Sequence, residues 1–371
     1  MIIKSPMIRF LLFLLIPILF LYGIIVAKDF LYPIAFAALF AYLLYPVVNF
    51  LEKNSFPRVL AILTSLLLAI VVVIGVFILF YNQVSNVLDD FGTLKKTANN
   101  NIEQMQQNLQ NSLGLKNNRI EEFLKQHIND FFDTGGGGIG KVFSATTGTV
   151  ARIIILPVYI FLFLYYRTKF AYFILKITRE ESKRTAIKIL RDISSVAARY
   201  MGGVTLVVFI LCVLNSVGLM IIGVEYAILL GIISAMFNYI PYFGTLMGGS
   251  VPFLFVLLTT QDPLQNALQV GVLFVIIQFT ENNILTPNIV GGNVKINPFF
   301  IIIGLVFGST VWGIPGMLVI IPFLAILRII LNNIPQLQAY AFLLGPGGTR
   351  KHGLNFKSLR SKLSLKKKSE K

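Results

Sequence analysis

The sequence predicts an all-α polytopic membrane protein with about eight to ten membrane helical segments. Three observations carry that prediction. The chain has 371 residues, 56% hydrophobic and only 13% charged, with a mean hydropathy of +0.78, whereas soluble domains carry about a quarter charged residues. Several apolar runs reach the ~20 residues that a bilayer's hydrocarbon core demands of a helix. Runs such as LAILTSLLLAIVVVIGVFILF do not alternate, which excludes a barrel built from ~10-residue alternating strands.

The elements follow in chain order. Met1–Ala27 has a basic start and an apolar middle, but KDFLYP and a further apolar run follow in place of a cleavage site. It reads as a retained first helix. Apolar runs predict further helices near 31–51, 58–81, 150–166, 203–223, 226–240, 246–260, 267–284, 299–311 and 315–331. Residues 82–149 form a polar insert. There Ile102, Met105, Leu109 and Leu113 fall at helical spacing, and after a break at Gly114 so do Ile120, Phe123, Leu124 and Ile128. The stretch FILKITREESKRTAIKILRDISSVAARYM predicts a separate basic amphipathic helix, flat on the inner leaflet or packed beneath the bundle.

Four of the runs are short, with 13 to 17 residues, and each pair is joined by a Pro/Gly-rich turn, IPYFGTLMGG or STVWGIPGM. At 13–15 residues a helix reaches only ~20–23 Å, short of a ~30 Å core. Broken hydrophobic segments in corresponding positions point to a transporter's binding region. Two re-entrant hairpins of opposite orientation, 226–260 and 299–331, are therefore expected, with 267–284 crossing fully between them. The expected organisation is 1–81, membrane helices; 82–149, extracytoplasmic insert; 150–202, membrane helix plus basic helix; 203–335, transport core; 336–371, basic tail.

The net charge of +16 is concentrated in Lys4 and Arg9, in 167–199 with nine basic and three acidic residues, and in 350–371 with nine basic and one acidic. The insert has seven acidic and six basic residues. Basic clusters at alternate helix ends put the N-terminus, 167–202 and the C-terminus in the cytoplasm, where they attract anionic lipid rather than nucleic acid. The single Cys212 sits in an apolar run, so no disulfide framework or thiolate metal site is expected. In TGGGGIGKVF, Gly135, Gly140 and Lys141 match phosphate-loop spacing, but Val142 stands where Ser or Thr is needed. His127 and His352 are isolated. No catalytic constellation, metal or cofactor is expected.

FNYIPYFGTLMGGSVP (237–252), ENNILTPNIVGGNVKINP (281–298) and GIPGMLVIIP (313–322) resemble the signature stretches of the AI-2E family, bacterial transporters named after the autoinducer-2 exporter. The resemblance covers essentially the whole chain. It implies a secondary transporter of the bacterial cytoplasmic membrane, an elevator-like core and homo-oligomers, with the pentamer as the expected state. Members are ascribed either export of the signalling furanone or sodium/proton exchange, so the substrate does not carry over. Between Asp192 and Glu370 this chain has only Glu225, Asp262 and Glu281 as acidic residues, which departs from a charge-rich antiporter core.

Glu281 is the first candidate for the solute or ion pathway, because a carboxylate at membrane depth faces a bundle interior or a watery cavity. The alternative is an interfacial cap of the next segment. Gln278 and Asn282 share its helix face, and Asn283 adjoins; amides suit a small neutral polar solute. Pro287 is expected to end the helix, Gly291 and Gly292 to turn the chain, and Pro298 to restart it. Pro241 and Gly244 break the first hairpin, making Asn238, Tyr239 and Tyr242 candidates for solute contact, or else members of an aromatic belt. Asn215, with Ser216, could bond across helices or touch solute. Gly313, Pro315 and Gly316 form the second tip, and Trp312 is expected to pack.

Overall fold

The computed structural model describes residues 6–113, 118–133, 146–291 and 296–347, and every regular element among them is helical. The expectations for Lys4, the break at 114–117, the glycine stretch 134–143, Gly292, His352 and the basic tail 350–371 fall outside the described residues.

Helices α1 (Pro6–Val26) and α2 (Lys28–Lys53) follow one another directly. α3 (Arg58–Asp89) has 32 residues, ~48 Å of helix, so it continues well past its apolar run. Leu67, Val71 and Val73 on α3 are each more than half exposed and do not all point in one direction, so this stretch presents apolar surface suited to lipid rather than water. α4 (Phe91–Leu113) and α5 (Asn118–Asp133) are the two helices of the polar insert. They lie side by side, joined by Lys95–Asp133 and Lys125–Glu103 ion pairs, both 2.6 Å, and by Asn99 donating to Asn129 at 3.2 Å.

α6 (Thr146–Ile177) returns to α2 and α3. Ala37, Ala41 and Val48 of α2, Ala61 and Ile62 of α3, and Ile160 and Leu164 of α6 form a buried seam, in which small residues let the backbones close up. One end of this seam is polar. Glu52 pairs with Arg167, and Arg58 donates to Thr168 Oγ1 at 2.8 Å and to the Leu164 carbonyl at 3.0 Å. The two guanidinium groups lie over the Tyr165 and Tyr45 rings.

α7 (Lys183–Ile222) has 40 residues without a break, and this corrects the expectation of a separate surface helix. The basic amphipathic stretch is the extension of a long apolar helix. It begins after a short turn at Glu180–Ser182 and passes through Gly202 and Gly203 unbroken, because helical hydrogen bonding tolerates glycine at a cost of ~1 kcal/mol. Gly223, at φ +83°, caps its end in the left-handed region.

α8 (Ala227–Phe237) and α9 (Phe243–Thr259) form the first helix pair. α10 (Pro263–Thr280) continues through a π-turn at Glu281–Leu285 into the short α11 (Thr286–Ile289). α12 (Pro298–Trp312) and α13 (Ile314–Asn333) form the second pair, and α14 (Gln338–Leu344) folds back on α13. Six described helices are long and apolar enough to cross a membrane: those covering 28–53, 58–89, 155–177, 180–222, 263–290 and 314–333. The two pairs are therefore not alike. α8, α9 and α12 have 11, 17 and 15 residues, whereas α13 reaches 20, longer than its apolar run suggests and, at ~30 Å, sufficient to span.

The C-terminal core gathers Tyr200, Val207, Val208 and Leu211 of α7, Ala235 of α8, Ile277 of α10, Leu305 of α12 and Ile321 of α13, with Ile240 and Val290. It meets the N-terminal helices where Ala35 and Leu39 of α2 bury against Val319 of α13.

Candidate functional site

The segment that joins the two pairs departs most from regular geometry. Glu281 opens the π-turn and is only 9% exposed. Gln278, three residues earlier, donates its Nε2 to Glu281 Oε2 at 2.6 Å. The cause of the π-turn is local. Pro287 has no N–H, and its ring would clash with the carbonyl four residues back in a continuing α-helix. The helix widens instead, and the Thr286 N–H reaches back five residues to the Glu281 carbonyl. Single π-turns inside helices are frequent at functional positions.

This corrects the expectation that Pro287 ends the helix. The chain stays helical to Ile289, with Pro287 in the first turn of α11, where a missing N–H is harmless. Val290 is then buried against α7. A Cβ at Gly203 would sit 3.1 Å from the Val290 Cα and 3.2 Å from the Ile289 carbonyl, so the crossing needs a residue without one. The turn falls one step later, at Gly291 with φ +63°.

The structure brings only part of the expected polar stripe together. Gln278 and Glu281 form a pair, but Asn282 and Asn283 are exposed. Asn283 spends its amide on its own helix, donating to the Phe279 carbonyl at 2.8 Å.

The first tip runs from Asn238 to Tyr242. Asn238 and Pro241 are partly covered, and Gly244 is buried so close to the Phe237 carbonyl and Asn238 that a Cβ would collide with both. Tyr242 takes φ +65°, ψ −42°, a conformation that costs an L-residue on the order of 1–3 kcal/mol. Tyr239 lies against the C-terminal core and directs its hydroxyl toward Thr205 Oγ1 of α7, 3.4 Å away. Asn215 of α7 is 1% exposed and its Oδ1 has no hydrogen-bond partner. Ser216 makes only a 3.5 Å approach to the Ile228 carbonyl. Cys212 is half-buried against the same core.

At the second tip, Gly313 has φ +68°, ψ −143°, and Pro315 sits in the first turn of α13. Gly316 meets the Gly308 backbone so closely that neither position admits a Cβ. Pro298 does restart the chain, opening α12 behind an Asn297 side chain that caps the Phe299 N–H at 3.1 Å. Trp312 packs toward α1, donating to the Ile24 carbonyl at 3.2 Å.

Three residues of this region escaped the sequence reading. Ser234 of α8 is fully buried with an unpartnered hydroxyl; its only sequence signal is a lone hydroxyl in ILLGIISAMF. Thr205 and Gly203 sit in one turn of α7, and the Gly202–Gly203 pair inside a long helix was the visible sign of a close crossing.

Buried polar groups in an apolar bundle cost free energy unless partnered. Glu281, Asn215 and Ser234 can accept hydrogen bonds or oxygen-ligand a cation, and Gln278 and Tyr239 can donate.

The model of the AI-2E family of transporters matches residues 14–336. Among curated relatives, "Putative transport protein YrrI" of Bacillus subtilis is 27% identical over 85% of this chain and 89% of its own length. "Putative transport protein YhhT" of Escherichia coli K12 is 22% identical over 89% of this chain and 92% of its own. "AI-2 transport protein TqsA" of the same organism is 24% identical over 88% and 92%.

Proposed function

Because the chain belongs to the AI-2E transporter family, its role is membrane transport, and we propose that it moves a small, neutral, polar solute by elevator-like alternating access. The pair α8–α9, with two short arms, acts as a re-entrant hairpin; α12–α13 acts as a hairpin of opposite orientation whose second arm has the length to reach across; and α10 with its π-turn is the crossing between them. The observation that carries this reading is the Gln278–Glu281 pair, a hydrogen-bonded amide and carboxylate buried at an irregular turn. Such a turn exchanges hydrogen-bond partners at low cost, as an element that alternates between two states must. Tyr239, Asn238 and Asn215 supply further solute contacts. Tyr242, Pro241, Gly244, Gly291, Gly313, Pro315 and Gly316 are the joints.

The reading also places the protein in a bacterial inner membrane as a homo-oligomer, with both termini cytoplasmic. Support comes from the three basic clusters and the charge-balanced insert. The insert 82–149 and the core that α7 enters without a break at 202–203 are its working units.

A second reading is favoured by one observation. Glu281 has a neutral partner and no cation beside it among the interactions of the described residues, so it could exchange a proton for a cation. Counterflow in proteoliposomes separates the two. A panel of uncharged hydroxyl-rich solutes, beginning with AI-2 because the TqsA relative is named for it, should exchange without acidifying the lumen. Solute-independent, sodium-driven proton movement would establish the antiporter instead.

A further inference from the structure

The far end of α13 carries a cation that the transport reading does not use. Arg328 is the sole charged residue of α13, and five residues separate it from the helix end at Asn333, roughly 8 Å along the axis. Its Nε is buried with no hydrogen-bond partner, and no carboxylate among the described residues pairs with it. In sequence, the acidic residues on either side are as distant as Glu281 and Glu370. A guanidinium partly withdrawn from water with its Nε donor unpartnered is costly, and an anion is the partner that offsets both the charge and the hydrogen bond.

The surroundings supply a place for that anion. Arg328 borders a half-open cavity of about 560 Å³, with Asn332 one turn along the same helix face and Gln338 and Gly345 across from it on and after α14. The cavity surface is mostly polar, and the Asn332 and Gln338 side chains line it beside Arg328. Gly345 leaves the room. A Cβ there would stand 3.2 Å from Arg328 Nη2. α14 then turns Tyr340, Phe342 and Leu343 outward, each about 60% exposed. An aromatic and aliphatic rim beside a cation is the arrangement found where protein meets the headgroup level of a bilayer.

We propose that this cavity binds a phosphate group, held by the Arg328 guanidinium and the Asn332 and Gln338 amides. A phosphate matches the planar fork of an arginine with two parallel hydrogen bonds, which a simple halide or a zwitterion's ammonium does not. The apolar rim makes a membrane phospholipid the source, its chains lying along Phe342 and Leu343; free phosphate shares the headgroup chemistry. The site lies apart from the Gln278–Glu281 pair and does not depend on how that pair works.

Native mass spectrometry of the full-length protein in detergent, with phosphatidylglycerol, phosphatidylcholine and inorganic phosphate as separate probes, tests it. Wild type should retain phosphatidylglycerol with one site of distinctly higher affinity. Arg328→Gln should weaken that site roughly tenfold or more, the loss expected of charge-assisted hydrogen bonds. Gly345→Leu keeps the charge but fills the cavity, and should weaken it as much, while Arg328→Lys falls between. Neutralising Lys366, Lys367 and Lys368 together should lower background binding and leave the Arg328-dependent site in place. Inorganic phosphate that competes for the site in wild type, and not in Arg328→Gln, would support the phosphate chemistry with a soluble source. Unchanged phosphatidylglycerol and phosphate binding in both folded variants, Arg328→Gln and Gly345→Leu, would overturn the proposal.

Discussion

The two helix pairs differ in the length of their arms and in what holds them. The first, α8–α9, is held from outside. Its entry is tied to the insert by the Tyr226 hydroxyl, which donates to Asp90. Its exit is tied by Asn101 of α4, whose buried amide donates to the Leu258 and Thr260 carbonyls at 2.9 and 2.8 Å. Between these points Val84 and Val87 of α3 and Leu94 of α4 bury against Leu229 of α8. The second pair, α12–α13, is held from within. Gly308 and Gly316 bring its two arms into backbone contact closer than that of Gly248 with Ser234 in the first pair, and outside itself it meets α1 through Trp312, α2 through Val319 and the C-terminal core through Leu305 and Ile321.

The difference teaches what the polar insert does in the fold. It supplies donors to the Leu258 and Thr260 carbonyls at the end of α9, where helical carbonyls run out of intrahelical partners, and it clamps the first pair at both ends. A motion of the first pair relative to the N-terminal helices must therefore carry the insert along or break these bonds.

Breaking the internal contact should do the most damage. Gly316→Leu places a side chain into the Gly308 backbone, with no flexible neighbour to yield. The expected loss is at least ~3 kcal/mol, read as failure to recover monodisperse protein or a large drop in melting temperature. A well-folded Gly316→Leu would show that the arms do not touch. Next comes the external clamp. Asn101→Ala removes two hydrogen bonds and should cost ~1–3 kcal/mol, with faster hydrogen exchange in 256–262 and little change in 304–316. Equal acceleration in both pairs would erase the contrast drawn between them. The smallest effect should be a gain. Tyr242→Gly relieves a strained non-glycine conformation and should stabilise the protein by ~1 kcal/mol; a lower melting temperature would mean that the half-exposed ring is held by contacts worth more than the strain.

Much of this architecture was legible in the chain because apolar run length and turn residues are local signals. The helices of the first pair, the two amphipathic helices of the insert, and Pro298 as a helix start could be read residue by residue. The misreadings share a cause. Pro287 was read as a stop because a pre-proline residue disfavours the α-conformation, and that local rule does not see that a π-turn can absorb the proline. The 202–203 boundary looked like a change from amphipathic to apolar helix, yet one helix can change environment along its length. Ser234 and Thr205 carry no pattern of their own, since what makes them notable is the helix lying against them, and the Gly202–Gly203 pair signals a close crossing without naming the partner. Asn101 belongs to the same class: in NNNIEQMQQ it is one amide among many, and only the α9 carbonyls distinguish it.

The central claim is that this transporter works through the buried Gln278–Glu281 pair at the π-turn between the two helix pairs. The direct measurement is solute flux in proteoliposomes containing Glu281→Gln, a change that keeps the side chain's size and its capacity to hydrogen-bond Gln278. The account predicts flux reduced at least roughly tenfold, as for loss of one charge-assisted interaction, with insertion and thermal stability close to wild type. Wild-type flux in that variant would contradict it and leave Glu281 as a buried helix-turn residue with no part in transport.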